Sequence, residues 1–216
     1  MIKYIASCVI ALTMLTGCKK QTPEFTQTEL DAGIVRIYDF GEYKLHNYDT
    51  MDSLGAQVYI LETPTNLIGI EGPAFATNIY AWRDYIKTLN KPLDAILTSY
   101  HPNGGYWQWR AKNYATEQSI ASRTTGSLHY KIREKKAQFG KPFLKTIIPI
   151  DNVIPNGKQE IAGTEFIITD KGDGYTIEIP AINVIYVHAL GADMHSVLQT
   201  PEDIDTDIKQ LKHLSC

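Results

Sequence analysis

From Gly33 onward, short apolar runs alternate with turn residues along the chain. Period-two alternation marks half-buried strands, and 3.6-residue spacing marks a helix face. Ile34 to Phe40 and Lys44 to Tyr48 predict a strand pair joined at the Gly41-Glu42 turn. Ala56 to Leu61 and Leu67 to Ile70 predict a second pair across Thr63-Pro64-Thr65-Asn66. Ile79, Trp82, Tyr85, Ile86 and Leu89 share one face of a helix over 78–89, with Asn78 placed as its N-cap. Ala95 to Leu97 reads as a short buried strand, and the polar run Thr98 to Gly105 comes directly after it. Thr116 to about Phe139 reads as mostly helical. Phe143 to Ile150, Glu165 to Thr169, Tyr175 to Ile179 and Val184 to Val187 read as strands. Pro201 to Leu214 reads as a closing helix with Ile204, Ile208, Leu211 and Leu214 on one face. Strands and then a helix, in both halves, predict an α+β fold of two mixed sheets packed together with helices outside.

The length of 216 residues suits one domain, with 44% hydrophobic and 21% charged residues. The net charge of -3 gives no basis for a nucleic-acid or polybasic membrane partner. The N-terminus departs from this average. Lys3 supplies a short positive region, and Ile5 to Leu15 is almost wholly apolar but too short to span a bilayer. Leu15-Thr16-Gly17-Cys18 then resembles a bacterial lipobox, in which small residues precede the cysteine that becomes lipidated. The expectation is a signal peptide over 1–17, a polar tether over 18–30 and one domain over 31–216, anchored to a membrane of the cell envelope through lipidated Cys18. The alternative is a plain secretory signal with an incidental cysteine. Cys8 would leave with the signal and Cys216 ends the chain, so no internal disulfide is expected.

Val58-Tyr59-Ile60-Leu61-Glu62-Thr63 and Leu67-Ile68-Gly69-Ile70-Glu71-Gly72-Pro73 resemble the opening hairpin of the metallo-β-lactamase superfamily. The helix and Lys91-Pro92-Leu93-Asp94-Ala95-Ile96-Leu97-Thr98 resemble the next two elements of that family. Together with Ile185-Tyr186-Val187-His188 and His195, the resemblance spans roughly Gln57 to His195. It implies an αββα sandwich. It also implies a dinuclear zinc motif of the form T-H-x-H-x-D-H-x-G-G, a bridging aspartate at a strand end and a final histidine.

The motif departs from that pattern in this chain: it reads Thr98-Ser99-Tyr100-His101-Pro102-Asn103-Gly104-Gly105. Ser99 stands in place of the first histidine, Asn103 in place of the aspartate and Gly104 in place of the third histidine. His101 matches the second histidine, His188 replaces the bridging aspartate and His195 matches the last histidine. The family's remaining histidine should lie just before Tyr175 to Ile179, but none is there, and Asp170 and Asp173 are the nearest potential ligands. Serine and asparagine are weak zinc ligands and glycine has no side chain, so a zinc pair is not expected.

Two readings of the remaining residues stand side by side. His101, His188 and His195 could hold one zinc with an open water position, as a mononuclear hydrolase would. Otherwise they line an old pocket, with His188 a core histidine and the chain a non-catalytic or small-molecule-binding protein. Ser99, Tyr100, His101, Asn103, Trp107, His188 and His195 are the candidate pocket. Tyr100, Tyr106, Trp107 and Trp109 would rim it or pack as half-buried residues. His46, His129 and His213 read as surface residues.

Overall fold

The structure is a computed structural model and describes residues 24–99, 109–124, 127–140, 149–170 and 175–187. Strand β1 (Phe25–Glu29) pairs antiparallel with β2 (Ile34–Asp39), and β2 with β3 (Lys44–Asp49). In turn β3 pairs antiparallel with β4 (Gln57–Glu62), and β4 with β5 (Leu67–Ile70). The expected Gly41 turn joins β2 to β3. Gly41 has φ +84°, its amide donates to Asp39 Oδ1 at 2.8 Å, and the Phe40 amide donates to Tyr43 O at 2.9 Å.

Helix α1 (Ala76–Thr88) then crosses over, so β6 (Leu93–Leu97) runs parallel to β5. A hairpin can only reverse the chain, and a parallel neighbour needs such a crossover. Strands β7 (Lys112–Ala115) and β8 (Asn152–Val153) extend the sheet in parallel, with α2 (Glu117–Thr124) and α3 (Ser127–Phe139) between them. Among the described residues this mixed sheet has eight strands in chain order. The second sheet has four antiparallel strands in the order β12-β11-β10-β9. They are β9 (Gly157–Ile161), β10 (Thr164–Asp170), β11 (Tyr175–Ile179) and β12 (Val184–Val187).

Alternation along the strands builds two cores. Val35, Tyr48, Val58, Ile60 and Ile96 pack on one face of the first sheet against Trp82 and Ile86 of α1. Leu45, Leu61, Ile68, Ile70 and Leu97 point the other way, against Phe166, Ile168, Ile177 and Ile179 of the second sheet. The layers are therefore helix, sheet and sheet. The closing helix expected over Pro201 to Leu214 lies outside the described residues, as does the strand expected over Phe143 to Ile150 except for residues 149 and 150, which are not in a strand.

Three local expectations are corrected. Residues 25–29, placed in the tether, form the exposed edge strand β1; each pairs with a residue of β2. Asn78 is not the N-cap of α1, because Phe75 holds that position. Asn78 is instead buried inside the first turns, and its Nδ2 donates to Thr50 O at 2.7 Å and Tyr48 Oη at 2.9 Å. His46 is not a surface residue, as it is only 2% exposed on β3. Strand β3 is buried on both faces, so period-two reading of its polar residues misjudges their exposure.

Candidate functional site

Four strand ends meet at one edge of the two sheets. Strands β5 and β6 are parallel and end there at Ile70 and Leu97. Strand β11 begins there at Tyr175, and Val187, the last residue of β12, is paired with Thr176. Glu71 comes directly after β5 with φ +59°, a left-handed conformation that a glutamate adopts only when its surroundings hold it. Its amide donates to Leu97 O at 2.9 Å. Its Oε1 accepts from the Ser99 amide at 3.0 Å and from the Tyr175 hydroxyl at 2.9 Å. Glu71 is 6% exposed and Ser99 0%. One carboxylate oxygen thus ties the end of β6 to the start of β11 across the two sheets.

Tyrosines continue from this junction. Tyr186 lies with its ring 6.1 Å from Tyr175 and 5.6 Å from Tyr59, the latter edge-on at 68°. Burial holds the Tyr186 phenol well above its ordinary range, and the charges of Glu71 and Tyr59 act in the same direction. It is a neutral hydroxyl throughout the physiological range.

Of the residues singled out from sequence, Ser99 is placed at this junction, at the end of β6 as expected. Tyr100, His101, Asn103, Trp107, His188 and His195 lie outside the described residues, as do Cys18, Tyr106, Asp173 and His213. Asp170 ends β10, and its amide donates to Asn156 Oδ1 at 2.6 Å. Trp109 is half-buried and packs toward the α1 core, the packing alternative for that aromatic run. Glu71 and Tyr175 carry the junction, and neither was a candidate. The only sequence signal was an acidic residue closing an all-apolar strand before Gly72-Pro73.

The described donors do not fit a zinc pair. Zinc takes imidazole, thiolate and carboxylate ligands. Among the described residues this edge offers Glu71, whose Oε1 already accepts two hydrogen bonds, and Asp170 beside Tyr175 on β10, together with phenols and a buried serine. Among the described residues no group of three or more His, Cys, Asp or Glu could hold a metal ion.

The buried His46 belongs to a separate network on the α1 side. Its Nε2 is 2.9 Å from Glu62 Oε2, and its Nδ1 is 2.7 Å from Tyr85 Oη. Lys91 Nζ reaches Glu62 Oε1 at 2.8 Å and Thr63 O at 2.6 Å. A neutral imidazole protonated at Nε2 satisfies both contacts, donating to Glu62 and accepting from Tyr85. Burial lowers the His46 pKa, outweighing the opposite pull of Glu62. Burial opposes the Glu62 charge, but the bonds from Lys91 and His46 prevail and hold its pKa down. Tyr85 stacks on Trp82 at 5.4 Å, and Trp82 on Tyr48 at 4.8 Å. The network is a structural brace between β3, β4 and α1.

No family model matches the chain, and no curated protein matches its sequence. Solved structures do match its fold. The chain is similar to the metallo-β-lactamase FIM-1 from Pseudomonas aeruginosa in its mono-zinc form, at 11% identity and a TM-score of 0.53, covering 82% of each chain. It is similar to DIM-1 metallo-β-lactamase at 14% identity and a TM-score of 0.51, covering 86% of each. A metallo-β-lactamase from Pontibacter korlensis matches at 12% identity and a TM-score of 0.50, over 88% of this chain and 86% of that one. The two packed sheets are therefore the α+β metallo-β-lactamase fold. Identities this low establish fold alone.

Proposed function

We propose that this chain is a bacterial lipoprotein, anchored to an envelope membrane through Cys18, that uses a metallo-β-lactamase-like fold to bind a small molecule without a zinc pair. The observation that carries this reading is the Ser99–Glu71–Tyr175 junction. The residue standing where the family motif has its first histidine is a fully buried serine, and its amide is held by Glu71. Hydrogen bonds to Glu71 there tie Ser99 to Tyr175 across the two sheets. The anchor rests on the lipobox spacing of Leu15-Thr16-Gly17-Cys18. Several acyl chains hold a protein stably at a membrane where one would not.

One observation favours a second reading. The Pseudomonas aeruginosa neighbour is described in a mono-zinc form. His101, His188 and His195 are enough ligands for one open zinc site, which would make the chain a divergent mononuclear hydrolase.

Two assays test the proposal. Cells fed radiolabelled palmitate should label the full chain and not its Cys18→Ser variant; label retained by the variant contradicts the anchor. With zinc added, the purified chain should turn over chromogenic lactams and esters no faster than buffer. Turnover abolished by a chelator and by His188→Ala would replace the binding reading with the mononuclear hydrolase.

A further inference from the structure

Below Glu71, the first sheet extends past β12, the outer strand of the second sheet among the described residues. A cavity of about 310 Å³ opens between them. Tyr38, Phe40, Asn47 and Tyr59 form one wall, and Val184 and Tyr186 belong to the other. None of the described lining residues is Lys, Arg, His, Asp or Glu. Arg36, the register partner of Asn47, is already paired with Asp49 at 3.3 Å. The described wall thus offers a charged guest no counter-ion, which favours a neutral ligand.

The wall carries one unanswered polar group. Asn47 is 9% exposed; its Nδ2 donates to Gln57 Oε1 at 3.3 Å, while its Oδ1 is buried and accepts no hydrogen bond. A buried amide oxygen without a donor is rare in folded proteins and calls for an explanation. The oxygen has no exposed surface of its own, so presenting it to the cavity requires the amide to rotate and give up the long Nδ2 contact to Gln57. Tyr59 donates to the same Gln57 Oε1 at 3.2 Å, and burial keeps its phenol neutral.

We infer that this cavity is a binding site for a neutral, largely aromatic molecule carrying one N–H or O–H donor, which Asn47 Oδ1 accepts. Tyr38, Phe40, Tyr59 and Tyr186 supply the ring contacts, and the half-buried edge of β12 closes the side. Aromatic walls with a single well-placed polar group are the usual make-up of small-molecule pockets. This deepens the binding reading by naming a ligand class, and it fails separately from it: zinc content tests that reading, and ligand discrimination tests this one.

Carbazole and dibenzofuran have the same shape and differ by an N–H in place of an ether oxygen, so they isolate the Asn47 contact. Fluorescence titration of the full chain, at constant detergent and corrected for a detergent blank, should show saturable binding of both. Carbazole should bind about five- to tenfold more tightly, as one additional hydrogen bond requires. Asn47→Leu should bring the ratio to about one while keeping dibenzofuran affinity. Val184→Trp, which fills the cavity, should abolish both, with an unchanged thermal transition showing that the variant is folded. Equal affinity for the two probes in the parent chain, a preference that survives Asn47→Leu, or binding unaffected by a folded Val184→Trp would each overturn the proposal.

Discussion

Glu71 joins residues 28 and 104 positions away in the chain through one carboxylate oxygen. Removing it takes a shared acceptor from the Ser99 amide and the Tyr175 hydroxyl, and hydrogen bonds to a charged group are each worth about 1.5–3 kcal/mol. Glu71→Ala should therefore lower unfolding free energy by about 3 kcal/mol in urea titration, and Tyr175→Phe by about half of that. A loss under about 0.5 kcal/mol for Glu71→Ala would show that the junction contributes nothing to the fold. Sequence spacing exposes only near neighbours, which is why Ser99 was legible as the residue leaving β6 while its partner Glu71 was not. His46 teaches the same point. A lone histidine between Leu45 and Asn47 looks solvated until Glu62 and Tyr85, 16 and 39 positions away, are seen to satisfy both ring nitrogens. Its pKa is lowered from 6.5 by burial, so the unfolded chain binds the proton more tightly than the folded one. Stability from this group is then complete above about pH 6.5 and is lost as the pH falls below it. Glu62, also lowered, adds its own loss only below its ordinary value of 4.5. Between pH 7.5 and 5.5, a range of about two units around the ordinary histidine value, the urea midpoint of the parent chain should drop. That of His46→Gln should stay nearly flat over the same range, and parallel curves would contradict the assignment.

At the scale of elements, strands and helices with a strong local pattern formed where the pattern put them: β2, β3, β4, β5, β10, β11, β12 and α1. The elements that the pattern did not reveal are held by partners elsewhere. Strand β1 is exposed at every residue and exists through its ladder to β2. Glycine at position 33 allows that reversal: it has φ +86°, and a Cβ there would collide with the Asp49 carbonyl and the Tyr48 ring. Helix α1 starts without a side-chain cap, and Asn78 acts one turn inside it as a pin to the β3–β4 connection. Serine caps helices as well as asparagine does, but it cannot span to both Thr50 O and Tyr48 Oη. Asn78→Ser should thus cost about 1–3 kcal/mol, as much as Asn78→Ala, in chemical denaturation. A neutral Asn78→Ser would restore the capping role.

The whole molecule has the two packed sheets of the metallo-β-lactamase fold. Two sheets and the α1 layer were readable from alternation and element order, because burial of apolar faces needs only the right period. The chemistry was less readable, since Ser99, Asn103 and Gly104 stand where the resemblance alone would place metal ligands. The described edge of the sandwich carries a carboxylate bonded to an amide and a phenol, with tyrosines beneath it. The most direct measurement is zinc per chain, by elemental analysis of the full-length protein after dialysis against free zinc and then against buffer. At most one equivalent should remain, and it should be released as the pH falls below about 6.5, where histidine ligands protonate. Two equivalents that survive dialysis would contradict the proposal of a chain without a zinc pair.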